Sequence, residues 1–458
     1  MTYLCAMILR ISLLMLLISS SLLAQHHEEG CGSVKTPDAS WEFHLQSLIA
    51  SSPGGSDKSR NAVYTIPVIF HIIHAGEAVG NYPNITAGQI AAQIEILNED
   101  FSAQGFNHTL YPLNAFSNWA INQGLPAAHL DSLGRVKMAD FQIEFCLAHL
   151  GPNGQTLAEP GIERINWQQK LWPNPVNYTN PTTFRQYLDS IVKPGSFWDP
   201  VKYMNIWVCD RDSGVGYAGY GLFPALSGLP GGNANTGDSV DGIWLYPKSI
   251  GSPLKFAGGI YATPNVRGRV AVHEAGHYLG LRHIWGDTLC GNDFCIDTPP
   301  ASSENLGNPN YPHGAGSCST PSNNPDGEMF MNFMDYTAGM FTYMFTESQR
   351  IRAHTAMQNS PNRKLLGTHG LCETPTALSD DLKMDRLRVY PNPAQNMIRV
   401  NIAEADIKSM VVMGIDGSRL INLHDKNECN ISHLPKGMYI LKVTTTKGQL
   451  LLGRFLKE

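Results

Sequence analysis

Hydrophobic and polar positions divide this chain into stretches of different period. An apolar run, Ile11–Leu23, follows Arg10 and ends at Ala24. It is shorter than the ~20 residues a membrane helix needs. A charged start, a short apolar stretch and a small residue read as a cleaved secretory signal over residues 1–24. Residues 25–60 keep no sustained period. Within them Trp41–Ala50 fits a short helix, and Ser51–Arg60 has the composition of a linker open to cleavage. From Tyr64 to Ile73 the residues are β-branched and aromatic, as in a buried strand. Ile90, Ile94 and Leu97 recur at helical spacing. Strand patterns follow at Phe141–Leu147, Met204–Val208, Tyr217–Phe223 and Asp241–Tyr246; the third is Gly-rich and aromatic and suits a sheet edge. Arg269–Leu281 then reads as a helix, and Gln349–Met357 as a closing one. Strands ahead of a helix that packs on them predict an α/β layer.

Residues 287–330 are dense in Gly, Pro, Asn, Asp and Ser, too long for a plain connection and therefore a functional or metal-stiffened loop. After a linker at 373–381, alternation resumes at Leu387–Tyr390, Met397–Ile402, Ser409–Gly414, Met438–Thr444 and Gln449–Phe455, with a hairpin turn at Asp416-Gly417. This tail predicts a small all-β sandwich.

Composition sharpens the division. The chain has 458 residues and a net charge of −6, which argues against a nucleic-acid binder. From Leu378 onward there are 12 basic and 9 acidic residues; the remainder holds 21 and 30, so a basic tail follows an acidic body. No later run is long enough to span a bilayer. Of nine cysteines, Cys5 leaves with the signal, Cys31 stands near the new N-terminus and Cys429 lies in the tail. The six between them (Cys146, Cys209, Cys290, Cys295, Cys318 and Cys372) allow 15 full pairings in an oxidising compartment.

The chemistry concentrates at His273-Glu274-Ala275-Gly276-His277-Tyr278-Leu279-Gly280-Leu281-Arg282-His283. On a helix His273 and His277 share a face and can bind one ion. Glu274 lies beside them, placed to engage a water. Gly280 can take a positive φ and end the helix, letting His283 return as third ligand. Three neutral ligands and an open fourth position characterise catalytic zinc. Zinc lowers the pKa of its water to ~7. Glu274 can take the proton from that zinc-bound water and pass it to a leaving nitrogen, which suits hydrolysis of an amide.

With Met331-Asn332-Phe333-Met334-Asp335-Tyr336 downstream, the histidine motif resembles the metzincin metalloproteases. The Asn-Phe-Met-Asp-Tyr form, the strand Ile66–His71 and the segment Met204–Cys209 resemble the pappalysin family over roughly residues 60–372. The resemblance implies a metzincin catalytic domain, a twisted mixed sheet with an active-site helix, followed by the sandwich. Met334 would form the apolar floor beneath the metal, and Tyr336 would stand near it and help stabilise an oxyanion. Substrate would add as a strand to the cleft edge, with Tyr217–Phe223 the candidate. Relatives that prefer basic residues carry an Asp five positions after the Met of the turn; here that specificity-pocket position is Gly339, so basic preference does not carry over. Calcium is expected at Asp293, the Cys295 carbonyl and Thr298, with Asp297 close by in the same loop, on oxygen ligands suited to it. Cys290 and Cys318 would bridge this loop. Cys31 resembles a propeptide thiol that closes the open zinc position, making the chain a zymogen.

Val389-Tyr390-Pro391-Asn392-Pro393-Ala394, Gly437-Met438-Tyr439 and the ending Gly453–Glu458 resemble a type IX secretion C-terminal sorting domain. The implied order is signal 1–24, propeptide 25–60, catalytic domain 61–372, linker 373–381 and sorting domain 382–458. The expected partners are protein or peptide substrates and the type IX machinery, outside or at the surface of the cell, with no transmembrane segment in the mature chain. Two rival functions stand beside this: a non-catalytic surface adhesin on the same scaffold, and a zinc hydrolase of a non-peptide amide.

Overall fold

The computed structural model describes residues 31–32, 39–51, 63–226, 229, 237–263, 266–318, 324–373, 387, 389–400, 402–414, 418–447 and 450–458. The expected signal, most of the 51–60 linker, nearly all of the 373–381 linker and the Asp416-Gly417 turn lie outside them. The chain divides into two compact units, Met1–Thr374 and Pro375–Glu458.

In the first unit, β1 (Tyr64–His74) is the spine of a mixed sheet. Its interior residues are buried on both faces, as the continuous apolar run requires. One side of β1 pairs in parallel with β2 (Ile143–Leu147) and then with β3 (Ile162–Asn166). Its other side pairs in parallel with β4 (Met204–Val208). β5 (Gly219–Gly221) and β6 (Ile243–Leu245) complete the sheet: β6 is parallel to β4, and β5 lies antiparallel to β6 at the edge. β3 escaped the sequence pattern because Glu163 and Arg164 interrupt its apolar positions. The pair is nonetheless tied down. Glu163 accepts from the buried His71 at 2.7 Å, and Arg164 donates to Glu159 and to the Ile85 carbonyl.

Helix α1 (Ala39–Ser51) precedes the sheet in sequence. Helix α2 (Ala87–Phe101) starts at Thr86, whose side chain accepts from the Gln89 amide, and buries Ile90, Ile96 and Leu97. Short helices α3 (Ser117–Gln123) and α4 (Pro181–Tyr187) follow. Helix α5 (Arg269–Tyr278) is buried along its whole length, and α6 (Glu347–Asn359) opens on a Thr346/Gln349 capping box. One core joins the sheet to α2, α5 and the 329–345 segment. Disulfides Cys146–Cys372 and Cys290–Cys318 are formed, the second as the resemblance implied; Cys31, Cys209, Cys295 and Cys429 are free.

The second unit is an all-β sandwich of antiparallel strands, as expected. One sheet runs in the order β10 (Arg419–Leu423), β9 (Ile407–Gly414), β12 (Gly437–Thr445), β13 (Leu450–Lys457), and the other β11 (Glu428–Asn430), β8 (Met397–Val400), β7 (Val389–Tyr390). Its core holds Ile398, Val412, Leu441, Val443 and Phe455. Among the described residues no helix is long and apolar enough to cross a membrane.

Candidate metal centre

The site forms where α5 meets edge strand β5 and the 329–345 segment. Close approach of strand to helix depends on two glycines: a Cβ on Gly219 would lie 2.9 Å from the Glu274 Cγ, and one on Gly221 2.5 Å from the Glu274 carbonyl oxygen. The Gly-rich pattern of 217–223 thus serves contact with α5. The strand itself is shorter than expected, three residues. α5 ends at Tyr278, three residues before the expected end, because Leu279 caps it and Gly280 takes φ +95°. That turn carries His283 back beside the helix.

The three imidazoles converge through their Nε2 atoms. His277 Nε2 lies 3.1 Å from His273 Nε2 and 3.1 Å from His283 Nε2. Each ring is held by its Nδ1: His273 by the Phe333 carbonyl at 2.7 Å, His277 by the Leu281 carbonyl at 2.9 Å, and His283 by Asp287 Oδ1 at 2.5 Å. Such partners leave Nε2 free for a metal. Burial is the main cause that lowers the His273 pKa, to about 3, and it also drives His277 well below the usual value; the neighbouring histidines add to both. The rings of His273 and His277 are thereby kept neutral, the form a ligand needs. His283 also stacks on Trp285, centroids 4.3 Å apart and planes 4° from parallel.

Cys31 completes the group: its Sγ and the three histidine nitrogens lie within 4.8 Å of one another. Backbone pairing holds it there. Cys31 forms a parallel bridge with Gly219, and the Gly32 amide donates to the Gly219 carbonyl at 2.7 Å. Residues 31–32 therefore lie along the edge of β5. Cys31 Sγ is 3.5 Å from Glu274 Oε2, while Glu274 Oε1 is buried without a protein partner. Burial raises the Glu274 pKa to about 8, against smaller lowering effects from Cys31, the Gly221 backbone and Arg185. Tyr336 stands over the site, its ring 5.0 Å from His283 and 5.6 Å from His273, and its hydroxyl donates to the Cys31 carbonyl at 3.4 Å. Beneath the helix, Met334 is fully buried against Gly276.

The other candidate residues are placed apart. Asp293, Cys295 and Thr298 gather oxygens: Thr298 Oγ1 is 2.8 Å from both Asp293 carboxylate oxygens and 2.7 Å from the Cys295 carbonyl. Burial raises Asp293 to about 7. Asp297 is bound instead to His129 at 2.8 Å and to the Ser348 amide. Gly339 sits at the start of α5, where a Cβ would meet Arg269 at 3.2 Å and Arg267 at 3.7 Å. Residue patterns did not single out Asp287 or Trp285. Their signal is position, four and two residues beyond the last histidine.

A histidine triad on a buried helix, over a methionine turn and beside an antiparallel sheet edge, is the arrangement of the metzincin fold. Residues 186–358 match the family model for pregnancy-associated plasma protein-A, and residues 388–454 that for a secretion system C-terminal sorting domain. Residues 186–358 are thus similar to the pappalysin metalloproteases, and residues 388–454 are similar to secretion-system sorting domains, as in proteins exported to the cell surface or beyond it. An extracellular metalloprotease of Colletotrichum graminicola is 33% identical over 147 residues, 31% of this chain and 46% of that protein. Extracellular metalloprotease 1 of Coccidioides posadasii is 33% identical over 141 residues, 30% and 44% of the two chains. The chain thus spans under half the length of these two relatives. Among solved structures, a mutant promirolysin of Tannerella forsythia is similar with a TM-score of 0.52 and 29% identity, covering 71% of this chain and 89% of that one. Mature mirolysin in complex with a cleaved peptide gives 0.50 and 29%, covering 67% and 96%.

Proposed function

We propose that the chain is a secreted zinc endopeptidase made as a zymogen. The observation that carries this reading is the convergence of three imidazole nitrogens beside a buried carboxylate with one unpartnered oxygen. That donor set fits zinc, with His273, His277 and His283 as ligands. The ion, when bound, would polarise the scissile carbonyl and lower the pKa of a coordinated water to ~7.

The chain's own residues would do the rest. The β5 edge aligns an extended peptide through its backbone, as it aligns Cys31 and Gly32 here. Glu274 takes a proton from the attacking water and delivers it to the leaving nitrogen. Its burial suits the second step, since a carboxylate with a raised pKa holds a proton near neutral pH. Tyr336 donates to the substrate carbonyl oxygen as charge develops there; in this chain its hydroxyl meets a backbone carbonyl of the segment lying in the cleft. Met334 supports the histidines from below.

In this reading Cys31 blocks the centre until residues 25–60 are removed, and the 382–458 domain engages the type IX machinery. Asp293, the Cys295 carbonyl and Thr298 form a calcium site that stiffens the 287–330 loop. Gly339 leaves the pocket without the carboxylate that would favour a basic side chain. The test is metal analysis: one zinc per chain, retained in Glu274→Ala and lost in His277→Ala. Zinc retained by His277→Ala, or absent from the wild type under loading conditions, would refute the centre.

A further inference from the structure

We propose that the surface beneath α1 is a docking site for an acidic, aromatic helix, and that α1 holds the leader there independently of Cys31. The proposal rests on the reading of residues 25–60 as a leader that keeps the chain latent. The contacts at Cys31 are few: a strand bridge with the Gly32 amide on the Gly219 carbonyl, the Tyr336 hydroxyl on the Cys31 carbonyl, and a thiol grouped with the three histidine nitrogens and 3.5 Å from Glu274. The contact made by α1 is much more elaborate. Trp41 is fully buried, donates its indole N–H to the Pro224 carbonyl at 2.9 Å and meets Phe223 edge-on at 5.7 Å. Leu45, Leu226 and Ala356 close the same cluster.

Glu42 supplies the polar half. Its two oxygens accept from Arg352 Nη1 at 2.5 Å and Nη2 at 2.7 Å, and Oε2 also accepts from Arg282 Nε at 2.8 Å. A carboxylate this buried needs such pairing, and the planar fork of Arg352 matches it at both oxygens. Burial raises the Glu42 pKa, but the hydrogen bonds and charge of Arg352 outweigh it and hold the group charged. A helix of 13 residues is marginal alone in water, so α1 owes its order to this surface.

The docking surface also touches the metal centre. Arg352 Nε donates to the Gly280 carbonyl at 2.8 Å, Arg282 directly precedes His283, and the Phe223 ring lies 5.6 Å from His277. Trp41 and Ala356 both pack at Gly280: a Cβ there would stand 3.5 Å from the indole and 3.0 Å from the Ala356 Cβ. A helix seated on this surface therefore bears on the turn that carries the third histidine.

The experiment uses the full zinc-loaded chain, with hydrogen exchange of residues 39–51 and hydrolysis of a mixed peptide library as readouts. In Cys31→Ala, α1 should keep its protection within ~3-fold, and hydrolysis should stay below about a tenth of that of the leader-free chain. Adding Glu42→Gln should lower protection by ~30-fold or more and raise hydrolysis at least ~10-fold. Trp41→Ala in the Cys31→Ala background is the second variant, since it alters packing and leaves Arg352 paired. Free exchange of α1 in Cys31→Ala would overturn the proposal, as would full activity of that variant or unchanged protection in both double variants. Exchange needs no catalysis. Loss of hydrolysis from every form would sink the peptidase reading alone, whereas hydrolysis with α1 already free would sink only the docking site.

Discussion

Gly276 and Met334 share one space: a Cβ on the glycine would lie 2.3 Å from the methionine sulfur. The helix that carries His273 and His277 can rest on its methionine floor only because the residue between them has no side chain. Gly276→Ala gains helix propensity but must push Met334 or the helix away, at a cost of about 1–3 kcal/mol. The expected outcome is a lower Tm together with weaker zinc binding. Unchanged values in thermal unfolding and metal titration would mean that the floor yields freely.

Asp287 should set metal affinity without touching the metal. Its carboxylate accepts from His283 Nδ1 at 2.5 Å, from a backbone with φ +62° that few non-glycine residues adopt. Asp287→Ala should weaken zinc roughly 10–100-fold, and Asp287→Asn, which keeps an accepting oxygen, should recover part of it. Competition with a chromophoric chelator measures both.

Acid should loosen the leader. The Glu42 pKa lies below its ordinary 4.5 while α1 is docked. The undocked form then binds more protons in acid, so docking strength from this group is full above the ordinary value and lost as pH falls through the lower, docked one. Asp293, within Coulombic reach of Arg352, is raised to about 7 by burial and loses charge earlier, so it does not replace Glu42 in acid. Exchange of residues 39–51, corrected for intrinsic pH effects, should begin to accelerate as pH falls below the ordinary 4.5 and not above it.

The Cys146–Cys372 bridge joins strand β2 to the end of the first unit across 226 residues. Replacing both cysteines with alanine should cost about 2–5 kcal/mol, read as a fall in Tm of roughly 5–15 °C. The zinc content of the folded chain should not change.

How much of this was legible follows from chain distance. His273, Glu274, His277 and His283 fall within eleven residues, so helical spacing and one glycine turn bring them together. Met334 and Tyr336 are remote, and only the resemblance of their motif tied them to the site. Glu42 and Arg352 stand 310 positions apart, with nothing in either neighbourhood to announce the other. The Cys146–Cys372 pairing was one of several that the counts left open. Strand β1 was readable as an apolar run buried on both faces. β3 was not, because Glu163 and Arg164 are paired through contacts that appear only once the sheet is assembled.

The most direct test of the central claim is cleavage of a denatured protein mixture by the chain freed of residues 25–60, with new termini sequenced by mass spectrometry. Glu274→Ala and a chelated sample run beside it. The account predicts many new internal termini, absent from both controls and restored to the chelated sample by zinc. Cleavage that persists in zinc-bound Glu274→Ala would contradict the assigned base. No cleavage by the zinc-loaded, leader-free wild type would contradict the peptidase itself.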